Sequence, residues 1–60
     1  MSKKPGTVQL KEMARHYREM ARRALEHAQR TQQQELKEEF TVIAYNWHVM
    51  ALQAESLIAE

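Results

Sequence analysis

Residues 42–52 lie in a stretch that is apolar on two opposite sides of one helix, and this limits what the chain can become. One seam runs Leu36, Phe40, Ile43, Trp47, Met50, Ala54, Leu57, in alternating steps of four and three residues. A second seam runs Val42, Tyr45, Val49, Leu52, in steps of three, four and three. At about 3.6 residues per turn the two seams fall on nearly opposite sides. A helix apolar all round has to be covered all round, and 60 residues supply too few elements to do that alone. A second copy of the chain or a different protein is expected to cover the second side.

The rest of the composition narrows the means. Chains of this size are marginal unless disulfides, metals or oligomerisation add stability. The chain has no cysteine, so disulfides and thiolate metal sites are excluded. Its single proline and single glycine are adjacent, Pro5-Gly6, and the remainder is rich in Ala, Glu, Gln, Arg, Leu and Met. That predicts an all-α domain. No apolar run approaches the ~18–20 residues needed to span a bilayer. The opening Met-Ser-Lys-Lys-Pro-Gly has no apolar segment behind it, so no secretory signal is expected and a cytoplasmic location is.

Along the chain, residues 1–6 read as a disordered basic tail. Thr7 is the expected N-cap of a first helix over about residues 8–30, with Leu10, Met13, Ala14, Tyr17, Met20, Ala21, Ala24 and Ala28 on its apolar side. Thr31-Gln32-Gln33-Gln34 fits a capping box, so a second helix is expected over about residues 32–59. One continuous helix is the rival. Phase argues against it, because strict heptads carried on from the first seam land on the polar Gln34, Glu38 and Thr41.

Folding back around residues 31–33 sets Leu36 opposite Ala28, Phe40 opposite Ala24, and Ala54 opposite Leu10. Ile43 and Ala44 meet Met20 and Ala21, while Met50 and Ala51 meet Met13 and Ala14. Large meets small nearly everywhere, as dense packing requires. Tyr17 and Trp47 are the one large pair, suited to an offset stack. The expected architecture is an antiparallel two-helix hairpin, completed to a four-helix bundle by dimerisation or by docking on a partner.

The stretch Ala44-x-x-Trp47-x-x-Met50-Ala51-x-x-Ala54-Glu55, preceded by His16-Tyr17-Arg18-Glu19-Met20-Ala21, resembles a group of small alphaproteobacterial helical-hairpin proteins. Those carry Tyr-Arg-Glu-Leu-Ala in a first helix and Leu-Ala-x-x-Trp-x-x-Leu-Ala in a second. The similarity covers about residues 13–55. Where those proteins place Asp-Pro-Glu at the turn, this chain has Gln33-Gln34-Glu35. The resemblance implies the hairpin fold and no activity. In architecture alone the chain is also similar to the plasmid RNA-binding protein Rop, a hairpin that dimerises into a four-helix bundle.

Two surfaces are candidates for function. Val42, Tyr45, Val49 and Leu52 would form a contiguous apolar patch of a few hundred Å², the size that marks an interface. Tyr45 suits its rim, with an apolar ring and a hydroxyl that stays wet. Lys11, Arg15, Arg18 and Arg22 form a basic stripe that could track a nucleic-acid backbone. Against that, Glu12 is placed to reach Arg15, Glu19 to reach Arg22 and Arg23, and Glu26 to reach Arg30. Residues 1–31 carry eight basic and three acidic groups and residues 32–60 one and five, so +5 and −4 nearly cancel.

Chemistry is scarce. Metal-carboxylate bundles use Glu-x-x-His on facing helices. The nearest approach here is Glu12-x-x-x-His16, with His27 and His48 as edge residues, so no metal or cofactor is expected. Ser2 lies in the tail and Ser56 near the far end, with no nucleophile–base–orienter set, and a hairpin encloses no pocket, so neither catalysis nor a small-molecule substrate is expected. The first helix is a poor membrane-surface helix because alanine dominates its apolar side. The expected function is a non-catalytic protein–protein interaction module, a stoichiometric regulator, adaptor or inhibitor acting through the second seam. Its partner is either itself, as a homodimer, or a larger protein. The alternative is a Rop-like dimer binding RNA or DNA through the basic stripe.

Overall fold

A computed structural model describes residues 6–59. The basic tail expected over residues 1–6 lies, apart from Gly6, outside the described residues. The described chain is two helices, α1 (Thr7–Arg30) and α2 (Gln34–Ala59), packed side by side as a hairpin with Cα extents of 50 × 19 × 13 Å. No strand is present among the described residues.

The helix ends differ from the expected caps. Gly6, in extended conformation, is the N-cap of α1 in place of Thr7. The Gln9 side chain reaches back to accept from the Gly6 N–H at 3.3 Å, supplying half of a capping box to an N-cap with no side chain. Nor does Thr31 cap α2. It closes α1, with φ −75° and ψ 144° and its N–H donated to the His27 carbonyl at 3.0 Å. Its hydroxyl accepts from the Gln33 N–H at 3.3 Å, a local turn that competes with the cap geometry. The Gln33 carbonyl then accepts the Lys37 N–H at 3.0 Å, so α2 begins two residues later than the capping box places it. The turn is made without any positive φ.

The interface between the helices is small-sided. Its buried residues are Leu10, Ala14, Ala21, Ala24 and Ala28 from α1 and Ala44, Ala51 and Ala54 from α2. Tyr17 and Trp47 meet between them, ring centroids 5.7 Å apart and planes tilted by 32°. Phe40 stacks on His27 at 5.1 Å. The first seam of α2 needs a correction here. Ala51 is fully buried, whereas Ile43 stays 43% and Met50 38% exposed. The face that α2 turns to α1 is therefore Phe40, Ala44, Trp47, Ala51, Ala54, Ile58: Phe40, Trp47 and Ala54 of the expected seam stay, and Ala44, Ala51 and Ile58 stand in for Ile43, Met50 and Leu57. Alanine allows the closest backbone approach, and the larger neighbours Leu36, Ile43, Met50 and Leu57 are left along one flank.

Candidate functional site

Each helix of a hairpin has one side given to its partner and the rest given to the surroundings. On α2 the side remote from α1 carries Val42, Tyr45 and Leu52, which are 59%, 65% and 48% exposed. Val49 lies in the same line and is half-buried. The 3-4-3 spacing gathers all four into one stripe because the helix runs unbroken from Gln34 to Ala59. Glu35, Glu38 and Glu39 border its N-terminal end, together with Val42 lining an open depression. The stripe has no polar side chain of its own except the Tyr45 hydroxyl.

Lys11, Arg15, Arg18 and Arg22 all project from α1, lining one shallow groove on a broad face of the hairpin. Three of the four are engaged by carboxylates. Arg15 lies 3.7 Å from Glu12. Arg22 is bridged between Glu19 at 2.6 Å and Glu26 at 2.7 Å. Arg18 crosses to α2, donating from Nε to Glu55 at 2.9 Å and also from its terminal nitrogen. That interhelical pair was invisible to spacing rules, which cover only neighbours along one helix. Glu26 was expected on Arg30; it takes Arg22 instead, one turn earlier, where the guanidinium is already fixed by Glu19.

These pairs perturb the groups that make them. The hydrogen bond from Arg22, then that from Arg23, holds the Glu19 carboxyl below its ordinary range against some desolvation. Hydrogen bonding to Glu55, followed by its charge, raises the Arg18 guanidinium, and Glu19 does the same for Arg22. The groups are exposed, so the pairs rigidify the surface more than they stabilise the fold. Phosphate contacts by Arg15, Arg18 or Arg22 would have to displace a carboxylate.

Two of the three histidines meet aromatic rings. His16 meets Trp47 edge-on at 6.2 Å and His27 stacks on Phe40. Among the described residues no group of three His, Cys, Asp or Glu side chains is placed to hold a metal ion. No helix among them is long and apolar enough to cross a membrane. No family model, curated protein or solved structure matches the chain. Function therefore has to be read from its surfaces.

Proposed function

We propose that this chain is a small non-catalytic protein–protein interaction module, acting as a stoichiometric regulator, adaptor or inhibitor. Its docking surface is the outer stripe of α2, Val42, Tyr45, Val49 and Leu52. The observation that carries this reading is the exposure of Val42, Tyr45 and Leu52 in one line on the side of α2 away from α1. Apolar side chains scattered singly need no explanation, but four in register form a patch of the kind that marks an interface. The occupied guanidinium groups of α1 favour this reading over a nucleic-acid surface.

Substituting Val49→Lys and Leu52→Lys tests it. Neither side chain packs on α1, so helical circular dichroism should be retained. A protein that the wild type retains from lysate of the native host at fixed stoichiometry should be lost, since each charge would have to be desolvated against an apolar surface. Retention should hardly change with salt, because no phosphate counterions are released. Retention that survives the double substitution but collapses with salt, or on Arg15→Gln with Arg18→Gln, would instead identify the stripe of α1 as a nucleic-acid site.

A further inference from the structure

Two stripes flank the alanine interface on the same side of the hairpin. Met13, Met20 and His27 recur every seven residues on α1, and Leu36, Ile43, Met50 and Leu57 do so on α2. Met13 lines one groove with Met50 and Leu57 across the helix junction. Stacking of His27 on Phe40 and of Trp47 against His16 continues the same face toward the turn. Met13, Leu36, Ile43, Met50 and Leu57 all remain substantially exposed.

A two-stranded seam needs two apolar positions per heptad, and a helix in a larger bundle needs a third. Both helices carry the third, on the same side. The first two positions are mainly alanine, so the bulk of the apolar volume lies outside the hairpin.

We infer that a second copy of this chain docks on this face, Met13, Met20, Ile43, Met50 and Leu57 of each copy forming the centre of a four-helix bundle. The inference rests on the interaction-module reading and names a partner for a different face from the outer stripe. Two observations select a second copy. The centre of the face is self-complementary, since Met13, Met20, Leu36, Ile43, Met50 and Leu57 carry no charge, whereas the opposite broad face is lined by Lys11, Arg18, Arg22 and Glu55. Two apolar faces related by a two-fold axis bring no like charges together at their centres. The 50 × 19 Å outline offers roughly 950 Å², against ~800 Å² per partner in a stable interface. The outer stripe of α2 stays uncovered in such a dimer, available to another protein.

Sedimentation equilibrium and hydroxyl-radical footprinting of the wild type decide the matter together. The chain should sediment at twice its 7.1 kDa mass. On raising concentration through the association range, modification of Met13 and Met50 should fall while that of Tyr45 stays constant. Ile43→Lys with Met50→Lys should weaken self-association by roughly 100-fold or more, as loss of central interface residues does, whereas Val49→Lys with Leu52→Lys should leave it intact. A monomer at about 200 μM, far above the working range of a specific dimer, overturns the inference. So does protection of Tyr45 in place of the methionines, or a dimer that survives the Ile43 and Met50 substitutions. If the charged variant does not fold, the wild-type footprint alone gives the answer. A monomer that still loses its partner on Val49→Lys with Leu52→Lys would overturn this dimer and leave the proposed function standing.

Discussion

At Ala51 the two helices leave no room for anything larger than a methyl group, since the residue is wholly buried. Ala54 and Ala44, one and two turns away, are nearly as buried. Ala51→Leu inserts three carbon atoms where the backbones are closest, so the helices must separate or the side chain must leave its rotamer. The expected cost is about 1–3 kcal/mol, read as a lower urea midpoint at fixed protein concentration with helicity at zero denaturant retained. An unchanged midpoint would mean that Ala51 does not lie at the interface. Sequence alone places Phe40, Trp47 and Ala54 in this line but runs the seam through Ile43 and Met50, where Ala44 and Ala51 lie innermost, for a physical reason. Ile43 precedes Ala44 and Met50 precedes Ala51, and either member of each pair satisfies the helical period. Hydrophobicity ranks isoleucine and methionine inside, while close backbone approach ranks alanine inside, and the second effect decides between two helices. The meeting of Tyr17 with Trp47 was legible because only large rings bridge the gap where no alanine stands.

At the scale of the element, α1 carries a lattice of ion pairs on its exposed side, with Glu19 holding Arg22 and Arg23 and Glu26 holding Arg22. The carboxyl of Glu19 titrates below its ordinary range in the folded helix because Arg22 hydrogen-bonds the ionised form. A lowered folded value means that the ionised form stabilises the helix. That contribution is complete above the ordinary carboxylate range and disappears as pH falls through the folded value. Glu19→Gln should therefore lower the thermal midpoint at pH 7 and make no difference once acid has protonated the wild-type carboxyl. Melts followed by circular dichroism at neutral and acid pH check this, and added salt should narrow the neutral-pH gap. A gap that persists in acid would show that Glu19 acts through packing. The spacing of Glu12 with Arg15 and of Glu19 with Arg22 made these pairs readable beforehand, whereas the choice of Arg22 over Arg30 by Glu26 did not. Both arginines are four residues away, and only the shared geometry with Glu19 separates them. The turn was legible as a break in phase and not as a structure, because the Thr31 hydroxyl had two competing backbone N–H groups to serve.

Taken whole, the molecule is a plate 13 Å thick whose described interior holds one leucine and seven alanines, with no large side chain fully buried. That is little apolar burial against the conformational entropy of 54 described residues. Two all-helical elements and their antiparallel return could be read from the chain because period and breakers are local signals. The outer stripe could be read as well, from its own spacing, but the split of the other side into an alanine contact and a flank of large side chains could not, since it depends on a small rotation about the helix axis. If the flanks of two copies supply the missing burial, folding and association become one equilibrium, and stability must depend on concentration. For two 60-residue chains unfolding together, a 100-fold dilution should lower the thermal midpoint by roughly 10 °C, from the mass-action shift of about 2.7 kcal/mol and the usual unfolding entropy per residue. Circular dichroism melts in cells of different path length, at equal total signal, measure it directly. A midpoint independent of concentration would mean that the alanine interface and the Tyr17–Trp47 contact suffice on their own, and that the flank of Ile43, Met50 and Leu57 is held exposed by an already stable hairpin.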